Sequence, residues 1–314
     1  MLFLFGSVLA RPLEIFLAPH SHCDAGWLYT VDAYYTEWHG PHGAVKAILD
    51  SVFASLSADS TLRFNWAEMV WFSRWWAEQS PENQKELRRL VDTGQWEFVG
   101  GGWVQSDEMV THWKDVTDQM MTGHEELRTI FGDTGNIPMV RTGWQLDMFT
   151  GFSGTTPALW YQAGFDSEVI RFEPRNEEMR DEWETSQELE FMWSQPNGVL
   201  LGVHRKDSRR RQAMLTHAIR NDYSEVVNLG FTFNDGDEPI TDENIAKRSA
   251  TLVEWALNTS SVYLQTNTEP GSNRLLALWG SDFRFGNAIQ WFGNMSRVVN
   301  LSMRILNNYS TILQ

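Results

Sequence analysis

The chain has 314 residues, 42% of them hydrophobic, which is enough for one large domain or two ordinary ones around a sizeable core. Its formal net charge of −16 argues against nucleic acid or an anionic membrane as the main partner, because an acidic surface repels both. Most of the 16 tryptophans must pack in the core, although an indole face also stacks well on a sugar ring. The single cysteine excludes an internal disulfide.

The first ten residues are apolar and end in small side chains, which is typical of a short secretory signal cut after Ala10. We therefore predict a signal peptide at 1–10 and one domain at 11–314. No later apolar run is long enough to span a membrane. A lysosomal or extracellular glycoprotein is the expectation, and four Asn-x-Ser/Thr sequons fit it, although such triplets also arise by chance: Asn258, Asn294, Asn300 and Asn308.

Short apolar strands alternate with amphipathic helices along the chain at a spacing of roughly forty residues, as in parallel β/α units. The first strand is predicted at Leu13–Leu17 and is expected to end at Pro19. The charged stretch 173–187 is a solvated loop or an exposed helix, and 223–238 is a loop. The other predicted strands are 62–66, 96–99, 138–144, 168–172, 190–193, 199–204 and 275–278; the helices are 45–53, 69–78, 82–91, 111–130, 156–163, 243–257 and 287–306.

Polar side chains follow several of these strands at the point where each strand ends. In β/α barrels the segments after the strands line one mouth, where active sites are built, so residues far apart in sequence are expected to converge there. The residues concerned are His22, Asp24, Glu68, Asp107, Glu108, Asp147 and Asp282.

His22 and Asp24 stand two positions apart, so in an extended segment both side chains face the same way and can bind one metal ion. A hydrogen-bonded loop pair and an acid/base dyad without metal are the alternatives, and His20 is a ligand, a supporting partner or a structural histidine. Asp147 can be a nucleophile, a general base or a ligand, or a helix N-cap. Arg171 can bind a carboxylate or a substrate oxygen, or form a structural ion pair.

A series of motifs in a fixed order makes the sequence similar to a known family. The segments PHSHCDAGW, FSRWW, EFVGGGWVQSDE, GWQLDMF and WGSDF occur in that order. Together they resemble the catalytic domain of glycoside hydrolase family 38, the class II α-mannosidases, and most of all its lysosomal acid branch. The resemblance runs from about Leu13 to Leu306. It implies an α/β fold, the seven-stranded (β/α) barrel of that domain, incomplete on its C-terminal side.

The resemblance also implies a cofactor, a substrate class and residue roles. The cofactor is Zn²⁺, with His22, Asp24 and Asp147 as its ligands, and Asp147 is the catalytic nucleophile as well. The substrates are α-mannoside glycans, which are cleaved with retention of configuration. The residues that match substrate contacts are Trp27, Phe149, Arg171 and Tyr223.

Two expected elements of such a site are not found in the sequence. The resemblance places the general acid/base in an aromatic-rich motif beyond the GSDF helix, with a fourth, histidine ligand further on, and it gives Asp282 no role beyond shaping the mouth. The first hypothesis is therefore a zinc-dependent retaining α-mannosidase, and the alternative is an incomplete form that binds zinc or mannosides without turnover. Other metal-dependent carbohydrate hydrolases, such as deacetylases, do not explain the aromatic and glycine-rich motifs together.

Overall fold

The computed structural model describes residues 13–37, 44–132, 140–149, 151–171, 177–194, 213–220, 222–224, 226, 240–263 and 274–312. These residues form a mixed α/β fold. The strands are β1 Glu14–His22, β2 Phe64–Trp66, β3 Trp96–Phe98, β4 Thr142–Gln145, β5 Ser167–Arg171, β6 Glu190–Ser194, β7 Ala213–Ile219 and β8 Arg274–Asp282. The helices are α1 Val31–Thr36, α2 Val45–Ala58, α3 Met69–Ala77, α4 Pro81–Asp92, α5 Trp113–Phe131, α6 Thr156–Ala163, α7 Glu177–Ser186, α8 Ile245–Tyr263 and α9 Ala288–Ile312.

The strands form two four-stranded sheets. In the first, the order is β3-β2-β1-β8 and every pairing is parallel. In the second, the order is β4-β5-β7-β6, and only β6 runs antiparallel to its neighbour. The sheets meet where the Gly100 amide, just after β3, donates a 2.8 Å hydrogen bond to the Thr142 carbonyl at the start of β4. The strand pairings of the described residues do not close a barrel, so the seven-stranded barrel stays a prediction.

One apolar cluster draws side chains from both sheets. Seven of its members lie on a strand or directly after one: Ala18, Ala67, Val99, Trp144, Val169, Ile219 and Leu278. Because the parallel strands of both sheets contribute to this cluster, their carboxyl ends come together at one rim, which is where polar side chains can converge.

The outer layers are helices that bury one face each. In α2 the side chains of Val45, Ile48, Leu49 and Val52 are buried, as their spacing of three and four residues predicts. Helix α4 begins at Pro81 after Ser80, whose hydroxyl accepts from the Asn83 amide. Many tryptophans fill the space between helices and sheets, as expected for core packing: Trp66, Trp71, Trp75, Trp96, Trp160, Trp279 and Trp291 are fully buried.

The prediction that Pro19 ends the first strand is wrong. Strand β1 continues through Pro19, which pairs with Trp279 of β8, and ends at His22. In a strand, the backbone nitrogen and carbonyl of one residue face the same neighbouring strand. For Pro19 that neighbour is β2, because the Pro19 carbonyl accepts a 3.2 Å hydrogen bond from the Asn65 side chain. Since β1 and β2 share a single registered pair, the missing N–H of Pro19 leaves no ladder bond unmade there.

Several predicted elements exist with shifted ends, and others have a different outcome. Of the two alternatives for the charged stretch 173–187, the helix is confirmed by α7, while α1 and β7 have no predicted counterpart. The signal peptide at 1–10, the strand at 199–204 and most of the loop at 223–238 lie outside the described residues. No helix in the described part of the chain combines the length and hydrophobicity needed to cross a membrane.

Candidate active site

Three potential metal ligands converge at the carboxyl ends of β1 and β4. His22 is the last residue of β1, Asp24 follows it by two positions, and Asp147 lies two residues beyond β4. The His22 Nε2 atom is 3.2 Å from an Asp24 oxygen and 3.6 Å from an Asp147 oxygen. One ligand atom from each residue lies within 4.8 Å of the other two. The sequence prediction that these residues can reach one ion is thus compatible with their placement.

The donor set and its spacing fit zinc. One imidazole nitrogen and two carboxylate oxygens are ligands that Zn²⁺ accepts, and three protein ligands are common at catalytic zinc sites. Ligand atoms around a tetrahedral zinc lie about 3.4 Å from each other, given bond lengths of about 2.1 Å. The two separations from His22 Nε2 are close to that value.

Two side chains from neighbouring strand connections contact the Nδ1 side of the His22 ring, opposite the Nε2 atom that faces the two aspartates. Its Nδ1 atom lies 2.9 Å from the amide nitrogen of Gln105, which donates a 2.6 Å hydrogen bond to Glu68. Glu68 is buried and is also 3.7 Å from Nδ1. Support of this kind fixes the ring orientation of a metal-binding histidine. The buried thiol of Cys23 lies 3.4 Å from the Ser21 hydroxyl and is outside the ligand cluster.

The carboxylates around His22 also alter its protonation. Burial lowers the pKa of the imidazole, but hydrogen bonds to Asp147 and Asp24 and the charge of Glu68 raise it by more, so the pKa of His22 is well above 6.5. A bound metal would replace that proton. His20 behaves differently: burial lowers its pKa to about 4, its Nδ1 lies 3.2 Å from the Ala18 carbonyl, and it is outside the ligand cluster.

Asp147 is held from its other side by residues of the second sheet. The Arg171 guanidinium, at the end of β5, lies 3.3 Å from one Asp147 oxygen and 3.4 Å from Asp222. The Tyr223 hydroxyl lies 3.5 Å from that same Asp147 oxygen. It also donates a 2.6 Å hydrogen bond to Asp282, the last residue of β8. Residues from β1, β4, β5 and β8 therefore converge on one site.

This arrangement brings a second carboxyl group close to Asp147. Because the Tyr223 hydroxyl contacts both Asp147 and Asp282, the contacted oxygens of the two carboxylates are within about 6 Å of each other. Retaining glycosidases use two carboxyl groups about 5–5.5 Å apart. Burial raises the pKa of Asp282, and burial also raises the pKa of the Tyr223 hydroxyl, which remains a donor.

The two remaining predicted substrate contacts are exposed side chains. The Phe149 ring is 57% exposed and lies under the Arg171 guanidinium, 5.1 Å from its centroid. The Trp27 side chain is 54% exposed in the bend that follows β1. Exposed aromatic faces next to a polar cluster can stack on a sugar ring. Of the predicted site residues, Phe149, Arg171 and Tyr223 contact each other or Asp147.

Sequence reasoning missed the supporting residues. Glu68 and Asp282 were expected at the mouth without roles, and Gln105 was not singled out at all. The positions of Glu68 and Asp282 directly after strands were the available signal. Gln105 had no such signal, because an amide in a loop is common and its partners come from three different strand ends.

Comparisons with known proteins identify the family of this chain. The family model described as "Glycosyl hydrolases family 38 N-terminal domain" matches residues 12–311. The chain belongs to glycosyl hydrolase family 38. "Alpha-mannosidase B" of Dictyostelium discoideum is 35% identical over 96% of this chain and 29% of its own length. "Lysosomal alpha-mannosidase" of Homo sapiens is 33% identical over 94% of this chain and 28% of its own length.

The fold is also similar to that of a protein of known structure. An α-mannosidase from Enterococcus faecalis superimposes with a TM-score of 0.61 at 16% sequence identity, covering 91% of this chain and 27% of that one. At that identity the likeness concerns the fold alone. This family 38 chain spans between a quarter and a third of the length of the relatives that it matches.

Proposed function

We propose that this chain contains the catalytic site of a zinc-dependent retaining α-mannosidase that acts on α-mannoside glycans. The observation that supports the proposal most strongly is the convergence of His22, Asp24 and Asp147 within 4.8 Å at the strand ends. Membership of family 38 and relatives named as α-mannosidases supply the substrate class. We also propose that the seven parallel strands of the two sheets form the family's seven-stranded barrel, with the antiparallel strand β6 outside it, since all seven contribute to one apolar cluster.

His22, Asp24 and Asp147 would hold the zinc ion, which when bound supplies a Lewis acid at the hydroxyls of the terminal mannose. The chain's own residues do the rest. Arg171 and Tyr223 contact one oxygen of Asp147 and orient its carboxylate. Phe149 and Trp27 offer aromatic faces to the sugar ring.

Asp147 is proposed as the nucleophile that attacks the anomeric carbon and forms the glycosyl-enzyme intermediate. We propose Asp282 as the general acid/base, the role that the sequence left without a candidate. Its protonated carboxyl would donate a proton to the leaving oxygen and then, as a carboxylate, accept one from the attacking water. The contact of Tyr223 with both carboxylates supports this pairing, because it limits their contacted oxygens to a separation of about 6 Å or less, a range that includes the spacing of retaining enzymes.

A secretory or lysosomal location remains a proposal, together with the signal peptide at 1–10 and a domain at 11–314. Relatives named as lysosomal α-mannosidases support it. The four sequons give little help, since all of them lie within helices α8 and α9, where Asn258 and Asn300 are exposed.

A second candidate function is binding of zinc or mannosides without turnover. It is favoured by one observation, that the chain spans only 29% of the length of Alpha-mannosidase B. The activity of that relative belongs to its whole chain, so it does not by itself carry over to this one.

Hydrolysis of an aryl α-mannoside, followed by proton NMR of the sugar released first, separates these functions. The proposal expects α-mannose as the initial product and a loss of at least about a thousandfold in rate in Asp147→Asn. Glu182→Gln, a change on the charged helix α7, is the control and should leave the rate unchanged. Zinc binding without any hydrolysis that depends on Asp147 would favour the second candidate, and β-mannose as the first product would exclude retention.

A further inference from the structure

Glu108 is a buried carboxylate whose hydrogen bonds go to the segment that contains Asp147. It lies in the connection between β3 and α5 and is 8% exposed. One oxygen accepts from the Gln145 side-chain amide at 3.2 Å, and the other accepts from the Ser153 backbone amide at 2.9 Å. The Thr156 hydroxyl is a further partner.

These partners lie on both sides of Asp147 in sequence. Gln145 ends β4, two residues before Asp147, while Ser153 and Thr156 follow it and lead into α6. Residues 146–149 and 151–155, which we call the Asp147 loop, are therefore flanked on both sides by partners of a single side chain from another strand connection. Burial raises the pKa of Glu108 to about 6, yet near neutral pH the ionised carboxylate is a strong acceptor.

We propose that Glu108 is a positioning residue for Asp147. It does not belong to the ligand cluster, so it acts through the backbone of the Asp147 loop rather than on substrate or metal. Without it, the amide of Ser153 loses its acceptor and the loop must be ordered at the moment of binding, which weakens binding at Asp147. The expected effect on zinc binding rests on the proposed function, whereas the expected effect on the order of the Asp147 loop does not.

The test compares three variants of the full chain. Glu108→Ala removes every bond to the loop, and Glu108→Gln keeps an acceptor of the same shape. Glu168→Ala is the matched control, because Glu168 is also buried and its carboxylate accepts from Thr216 of β7 instead of from the loop. Two properties are measured: amide hydrogen exchange of the metal-free chain, and zinc affinity by competition with a chromophoric chelator.

We expect Glu108→Ala to speed exchange at Leu146, Met148 and Ser153 at least about tenfold while amides of β1 and β8 keep their rates, and to weaken zinc binding at least about tenfold. Glu108→Gln should recover most of both losses, and Glu168→Ala should show neither. A purely structural role would speed exchange throughout the chain.

The proposal is overturned if exchange in the Asp147 loop does not change, or if the loop opens and zinc affinity stays that of the wild type. If Glu108→Ala does not fold, Glu108→Gln decides the question. Because this variant loses one oxygen acceptor, the part of the effect that it does not recover should appear as faster amide exchange in the Asp147 loop alone. If the wild-type chain binds no zinc at all, the proposed function fails, and the exchange data alone decide whether Glu108 holds the loop.

Discussion

At the scale of single residues, the site depends on a few contacts between strand ends. Spacing and places after strands made His22, Asp24 and Asp147 candidates, and the resemblance to family 38 then implied their roles as ligands. The Tyr223–Asp282 hydrogen bond joins residues 59 positions apart, so only the fold reveals it. Local spacing thus supplies candidate ligands, while the partner that completes a carboxyl pair depends on the topology.

The role proposed for Asp282 predicts a dependence on the leaving group. Asp282→Asn should slow cleavage of a mannoside with a sugar or alkyl leaving group by about 10²–10³-fold, because such oxygens must be protonated. With a dinitrophenyl leaving group, which departs without a proton, the first step should slow by about tenfold or less. Rates across a leaving-group series measure this, and an equal loss on every substrate would contradict the assignment.

Glu168 predicts a dependence of stability on pH. Burial raises the pKa of its carboxyl from 4.5 to about 7, so between these values the folded chain keeps a proton that the unfolded chain loses. The free energy of unfolding should therefore fall as the pH rises from about 4.5 to about 7. Glu168→Gln should remove most of that slope and be about 2 kcal/mol more stable at pH 8.

Chemical denaturation of both proteins at several pH values measures the slope of Glu168. The control is Glu254→Gln, since Glu254 is exposed on α8 and should keep the wild-type slope. A parallel pH dependence in wild type and Glu168→Gln would refute the effect of burial.

At the scale of elements, the sequence predicted the long helices and most of the strands, but it did not predict β7. In β7 the buried positions are Met214, Thr216, Ala218 and Ile219, while Leu215 is 48% exposed, so apolar and polar side chains do not alternate regularly along this strand. The end of β1 was misjudged because the cost of Pro19 depends on how little β2 pairs with it. Both errors come from neighbours that the sequence does not display.

The β1·β8 pairing predicts a strict requirement for glycine. A Cβ atom at Gly280 would come 2.0 Å from the His20 carbonyl oxygen and 2.7 Å from its Nδ1. Gly280→Ala should therefore destabilise the chain by about 2–3 kcal/mol, because backbone must move in the central ladder. In Gly293→Ala, within α9, nothing lies within 4 Å, and about 1 kcal/mol of helix stabilisation is expected. Denaturation midpoints decide, and equal midpoints for the two variants would contradict the crowding.

At the scale of the whole molecule, the chain is acidic and has the fold of family 38. Its candidate site lies at the rim where the two sheets meet. A ligand that binds only the folded chain stabilises it, so zinc should raise the melting temperature of metal-free protein. The rise should disappear in Asp24→Ala, and it should persist in Asp107→Asn, whose carboxylate accepts within its own loop. Differential scanning calorimetry with and without zinc measures the shift; the same shift in both variants would place the metal elsewhere.

The most direct test of the central claim is the rate of aryl α-mannoside hydrolysis by metal-stripped protein during titration with zinc. If His22, Asp24 and Asp147 form the catalytic zinc site, the rate rises and saturates at one zinc per chain. Under the same titration Asp147→Asn remains at the background rate. A wild-type rate that is independent of zinc, or an equal rate in Asp147→Asn, would contradict the account.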